Sequence, residues 1–283
     1  MTSRWQLALM AFAHPRFWLG TALSFVSPRL VGTAAVVGRK RPTGYDANRD
    51  RNPVRQRHNR HTGWEAEESA DGLLRRNYAS YEEYVVHQQQ KLDEIVKAHG
   101  GFSRKTILFF RLRFFSRFRV LRRLLPKEAV VVCAGAREGT EVAVLRELGF
   151  AKAYGIDLNP GEENKLVQKG DFMNLENSDA SVDLFYSNCA DHAFDLEAFF
   201  AEHARVVKRD GYAIYEFSIS GGHRGAFESV MWKREEDIVL MALKYFKHLV
   251  RAERDSHWLW IMLRSPLPAA EKGAQAVKLK EFA

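Results

Sequence analysis

From residue 130 onward, short apolar runs alternate with amphipathic stretches. The runs fall at 130–134, 153–158, 166–170, 182–187 and 212–218, and helix-period patterns fit between them at 140–148, 196–207 and 234–246. Runs of five to seven apolar-rich residues alternating with helices are what a parallel sheet covered on both faces produces. Two closing runs, 248–254 and 258–263, are separated only by Asp255-Ser256-His257. That connection allows a hairpin and is too short for a parallel crossover. The expectation is an α/β fold: a doubly wound, seven-stranded, mostly parallel sheet with a C-terminal antiparallel hairpin.

Upstream the pattern is helical. Tyr81, Tyr84, Val85, Leu92, Ile95 and Val96 recur at helix spacing over 80–99. A second helix over 103–125 carries the stripe Phe110, Phe114, Phe118, Leu121 and Leu125, and Pro126 ends it. The arginines at 111, 113, 117, 119, 122 and 123 occupy several other faces rather than one polar face. That distribution predicts a stripe packed on the following domain more than a helix lying on lipid.

Residues 39–63 hold eight Lys+Arg, two prolines and almost no large apolar groups, so they cannot bury enough surface to offset ordering. Ahead of them, the apolar runs 5–13 and 17–26 are broken by His14-Pro15-Arg16. Neither reaches the roughly 20 residues a membrane span needs. The favoured reading is an apolar helix pair packed on the protein. The alternative is a segment lying on an anionic membrane, with Arg39-Lys40-Arg41 on the cytoplasmic side. The expected organisation is an apolar N-terminal segment at 1–38, a basic flexible linker at 39–79, a helical extension at 80–126, a ligand-binding domain at 127–265 and a tail at 266–283.

Charge sharpens this division. Of the net +8, residues 1–126 supply 23 Lys+Arg against 10 Asp+Glu, whereas residues 127–283 hold 20 against 25. The basic excess belongs to the front, and the domain behind it is mildly acidic. A composition of 46% hydrophobic and 28% charged residues excludes disorder along the whole length. Two cysteines, Cys133 and Cys189, cannot form a disulfide framework and match no metal motif, so no metal site is expected.

The candidate chemistry lies at successive strand ends. VVVCAGAREGTEVAVLRELG reads as strand, glycine turn and helix, a geometry that turns backbone N–H groups toward an anionic or carboxylate-bearing ligand. Gly135 permits the turn, Ala136 and Arg137 fill it, and Gly139 lets the helix approach the sheet. Asp157-Leu158 ends the next strand, where an acid can hold a ribose diol. Asp171-Phe172 follows the third strand and offers a carboxylate for an amino group beside an apolar wall. Asn188, Asp191 and His192 follow the fourth. Ligands of open α/β sheets bind at this edge, so the four strand ends together suit an adenosine.

Over 127–265 the sequence resembles the class I S-adenosylmethionine-dependent methyltransferases, and within them a bacterial subset with a Gly-Ala-Arg-x-Gly-Thr-Glu first turn. The resemblance implies S-adenosylmethionine as cofactor. Gly135, Ala136, Arg137 and Gly139 stand at its glycine motif, Asp157 at its ribose acid, Asp171 at its adenine-side acid, and Asn188 to His192 at its fourth motif. Cys133 stands where the family usually has an acid, and Arg137 where it usually has a second glycine. The implied reaction is methyl transfer, with His192 and Asp191 as candidate bases and Glu216, His223 and Glu228 behind them. A Gly221-Gly222-His223 loop is a candidate substrate loop, and Trp232 either lines the acceptor pocket or fills core. The leading expectation is a cytoplasmic enzyme, peripheral on the inner membrane face through residues 1–63 in one version. Its acceptor would be a small molecule, a glycan or a lipid-linked group. An RNA acceptor is the weaker enzyme reading, because the acidic C-terminal half lacks a continuous cationic groove. A non-catalytic protein that keeps the cofactor fold is the third.

Overall fold

The computed structural model describes residues 72–99, 104–161, 164–219, 227–254 and 258–267. The expectations for residues 1–38, for most of the linker, for the loop around His223 and for nearly all of the tail lie outside them. Among the described residues no helix is long and apolar enough to cross a membrane.

In chain order the elements are β1 (Leu73–Arg75), α1 (Tyr81–His99), α2 (Arg104–Phe118), β2 (Val131–Ala134), α3 (Thr140–Glu147), β3 (Ala153–Asp157) and β4 (Val167–Lys169). They continue with β5 (Val182–Ser187), α4 (Leu196–Val206), β6 (Val207–Ser218), β7 (Val230–Trp232), α5 (Glu235–Leu243), β8 (Phe246–Arg254) and β9 (Trp258–Pro266). Seven of the strands form one sheet in the order β4-β3-β2-β5-β6-β9-β8. The first five are parallel, β9 pairs antiparallel with β6, and β8 closes the edge against β9. The alternation of apolar runs and the short final connection therefore folded as expected. The chain leaves β2 toward β3 and β4 and returns on the other side of β2 to make β5, so the strand order reverses between β2 and β5. Crevices open at such a reversal.

Each face of the sheet has its own core. Helix α4 shows why the sequence folds this way: Leu196, Phe199, Phe200, His203 and Ala204 are buried at helix spacing, and Asp195 caps its N-terminus by accepting from the Glu197 and Ala198 N–H groups. On the opposite face α2 lays Phe114, Phe118 and the following Leu121 against the sheet. The Phe114 and Phe118 rings stack 5.7 Å apart, and Phe118 meets Tyr186 edge-on at 4.9 Å. Arg117 and Arg113 lie over Trp260 and Trp258 at 5.9 and 4.3 Å. Two of the arginines spread around this helix, Arg113 and Arg117, thus pack on the domain through their flat guanidinium groups.

The helix expected over 103–125 is α-helical only to Phe118 and continues as a 3-10 helix over Arg119–Arg123, and a short strand pair was not expected at all. Leu73–Arg75, placed in the flexible linker, is a strand paired antiparallel with Val230–Trp232, and Leu73 is fully buried. Three residues are too few to show a period, and the partner strand lies far along the chain. Trp232, in that pairing, is core.

Candidate active site

The loops that follow β2, β3 and β5 converge at one edge of the sheet. Gly135, immediately after β2, has φ 68°, and a Cβ there would lie 2.3 Å from Cys189 Sγ. The turn after β2 and the loop after β5 therefore touch, which only glycine allows. Gly139 ends the turn at φ 76°, and a Cβ on it would come 2.8 Å from Leu166 Cβ. Arg137 stands between them at φ 45°, a left-handed conformation that costs a non-glycine residue about 1–2 kcal/mol. Two contacts hold it there. Its N–H donates to Asp157 Oδ2 at 3.0 Å, and its carbonyl accepts from Asn164 Nδ2 at 3.0 Å.

Asp157 ends β3. Its Oδ1 accepts from the Asn159 N–H at 2.9 Å, so both carboxylate oxygens are oriented by backbone. Burial raises its pKa, opposed by those N–H bonds and by the Arg137 charge. Beside it lies a cleft of about 480 Å³, part of it open to solvent, lined by Tyr84, Gln88, Asp157, Leu158, Asn159 and Phe172 among others. A second cleft of about 930 Å³ opens on the other side of the Gly135 turn. Ile107, Phe110, Phe114 and Trp258 form its apolar wall, Glu141, Asn188, Asp191 and Glu228 contribute its polar side, and Ala136 lines it at the turn. Lys91, Gly135, Arg137, Cys189 and His192 line both clefts.

At that junction His192 Nδ1 lies 2.9 Å from the Phe227 carbonyl, which can only accept. The ring proton therefore sits on Nδ1, and Nε2 accepts from Lys91 Nζ at 2.6 Å. Burial first, then the neighbouring Lys91 charge, holds His192 well below its ordinary pKa, so it is neutral. Burial and the Arg137 charge lower the pKa of Lys91, while Asp191 and Glu228 oppose them. Burial raises that of Asp191, against the pull of Lys91. Asp191, His192 and Glu228 offer atoms within 4.8 Å of one another, but the Lys91 amine already occupies His192 Nε2.

Helix α1 is tied across the first cleft. Tyr81 Oη donates to Asp171 Oδ2, Gln88 Nε2 donates to the Phe227 carbonyl at 2.7 Å, and the Gln89 carbonyl accepts from Asn159 Nδ2 at 2.9 Å.

Family comparison agrees with this geometry. Residues 132–215 match the model of the methyltransferase domain family. These residues form a class I S-adenosylmethionine-dependent methyltransferase domain. The chain is similar in fold to 1,6-didemethyltoxoflavin-N1-methyltransferase from Burkholderia thailandensis, solved with 1,6-didemethyltoxoflavin and S-adenosylhomocysteine, at 16% identity and a TM-score of 0.52, covering 72% of this chain and 99% of that one. It is also similar to a chain in the complex of the Haloferax volcanii Trm112 methyltransferase activator with a methyltransferase, at 15% identity and a TM-score of 0.51, covering 64% and 98%. Comparison with curated proteins finds none that matches.

Within the methyltransferase domain the residues singled out from the sequence are distributed unevenly. Gly135, Arg137 and His192 line both clefts, Asp157, Leu158 and Phe172 the first, and Ala136, Asn188 and Asp191 the second. Gly139 and Asp171 line neither: Gly139 packs on β4, and Asp171 accepts from Tyr81 and from the Met173 N–H at 2.8 Å. Glu216 is fully buried and paired with Arg113. Lys91, Glu141 and the α2 wall were not singled out for the site. Glu141 had a signal in its first-turn position after the glycine turn; Lys91 had none, being one charge on a helix with an apolar stripe.

Proposed function

We propose that the chain transfers a methyl group from S-adenosylmethionine to a flat small-molecule acceptor, with the nucleoside in the first cleft and the acceptor against the aromatic wall of the second. The observation that carries this reading is the pair of clefts meeting at the Gly135 turn. The donor set suits the cofactor in three parts. The Asp157 carboxylate, fixed by two backbone N–H groups, keeps lone pairs for a ribose diol. Phe172 and Leu158 supply an apolar wall for a base. Glu141, in the first turn of α3, supplies the anion that an amino group needs where Cys133 has replaced the family's acid.

When bound, the cofactor supplies an electrophilic methyl group on a sulfonium. The protein's part is positioning: Gly135 lets the backbone approach, and Phe110, Phe114 and Trp258 orient a planar ring and exclude water. A heteroaromatic acceptor of the kind methylated by the Burkholderia enzyme fits such a wall better than an RNA strand, which needs a continuous cationic track. Calorimetric titration with S-adenosylhomocysteine tests the reading. Wild type is expected to bind, and Asp157→Ala to lose about 10–100-fold in affinity, as expected for one charge-assisted partner. Equal affinity in the two proteins would remove the nucleoside from this cleft.

A further inference from the structure

We propose that the Lys91 amine, not the His192 imidazole, is the group that takes the acceptor's proton, with His192 as the residue that positions it. This inference rests on the cofactor and acceptor assignment above. Nucleophilic attack by an O–H or N–H acceptor needs a base at the point where the two clefts meet, and two nitrogenous side chains stand there. His192 is already committed at both ring nitrogens: Nδ1–H to the Phe227 carbonyl at 2.9 Å, and the Nε2 lone pair to Lys91 Nζ at 2.6 Å. Its side chain is only 12% exposed. Lys91 lines both clefts and, in its neutral form, can donate one hydrogen to His192 Nε2 while its lone pair remains for an acceptor proton.

The charges around Lys91 come from every element that faces it. Burial first, then Arg137 on the turn after β2, disfavours the ammonium; Asp191 after β5, Glu228 ahead of β7 and Asp157 at the end of β3 favour it, while burial keeps the Cys189 thiol protonated and uncharged. The balance leaves the amine well below the ordinary lysine range, the condition for a lysine to serve as a base near neutral pH. In the step, Lys91 Nζ takes the proton as the acceptor's lone pair forms a bond to the methyl carbon and the methyl–sulfur electron pair stays on sulfur. The products are the methylated acceptor, S-adenosylhomocysteine and the Lys91 ammonium. The ammonium then releases its proton to solvent past Asp191, whose side chain is 17% exposed.

The test uses the full chain with lysine labelled at 13Cε, followed by NMR from about pH 6 to 11, with the Lys91 resonance assigned by its absence in Lys91→Arg. The expected midpoint lies below about pH 8.5, against about 10.4 for an ordinary lysine. His192→Ala, which removes the acceptor of the ammonium, should move it lower still. A Lys91 midpoint above about 10 would make it a structural ammonium and overturn the proposal. A companion titration compares S-adenosylhomocysteine with sinefungin, the analogue carrying an amine where the methyl group would leave. If Lys91 faces that point, Lys91→Met should raise the preference for sinefungin about fivefold at pH 6, where the two amines repel, and less at pH 9. An unchanged preference at both pH values would place Lys91 away from the methyl group and overturn the inference. Failure of wild type to bind either ligand would instead overturn the cofactor assignment.

Discussion

Replacing Arg113 by methionine tests how the helical extension is joined to the sheet. Arg113 on α2 pairs with Glu216 on β6; their side chains are 10% and 0% exposed. Besides Arg113, the Glu216 carboxylate meets Tyr186 Oη at 3.3 Å, too long for a strong hydrogen bond. Methionine keeps much of the aliphatic packing beside Trp258 but leaves the Glu216 carboxylate buried without its cation. Breaking one side of a buried pair costs about 3–5 kcal/mol, far more than the 0–1 kcal/mol typical of exposed pairs. The exposed Arg111–Glu147 bridge, with Glu147 53% exposed, serves as the control, and Arg111→Met should cost below about 1 kcal/mol. Urea unfolding of the single variants and of Arg113→Met/Glu216→Gln provides a double-mutant cycle. Glu216→Gln in the Arg113→Met background is expected to restore about 2 kcal/mol or more, because a neutral amide is cheaper to bury than an unpaired charge. A loss under about 1 kcal/mol for Arg113→Met, or no recovery in the double variant, would refute the view that this pair pins α2, and with it Phe110 and Phe114, to the sheet.

Two further outcomes concern Glu141 in the second cleft and the Tyr81–Asp171 bond that fastens α1. Burial lifts the Glu141 carboxyl to about 7 from an ordinary 4.5. The unfolded chain therefore gives up this proton before the folded one does, and the group's contribution to stability falls as pH rises between those values. Without cofactor, Glu141→Gln should be nearly neutral at pH 5 and stabilising by on the order of 2 kcal/mol at pH 8 by denaturant titration; a larger gain at pH 5 would contradict the assignment. Tyr81→Phe removes the donor to Asp171, and amide exchange over residues 81–91 should quicken about tenfold, the equivalent of one charge-assisted hydrogen bond. Unchanged exchange would mean that this bond does not fasten α1.

What the sequence made legible divides along a physical line. Five apolar runs and a three-residue connection were enough to expect the sheet, because each signal is local: strand length, period and the reach of a short loop. Asp157 could be placed for the same reason, since a strand end followed by Asn-Pro puts its carboxylate at the sheet edge whatever else surrounds it. Gly135 could be placed at a turn, but its closest constraint, the 2.3 Å approach of a Cβ to Cys189 Sγ, joins two loops that the sequence shows only separately. Lys91 and the β1–β7 pair lie beyond that line. The period of α1 says that one face is buried and is silent on what buries it. Only docking the helix over the clefts turns one of several front-region cations into the partner of His192. The same docking changes the chemistry available to the fourth motif: a histidine read alone is a neutral-pH base, whereas this histidine has both nitrogens bonded and passes that role to the amine beside it. In a fold whose sheet is set by local patterns, the element added ahead of it decides which base faces the acceptor.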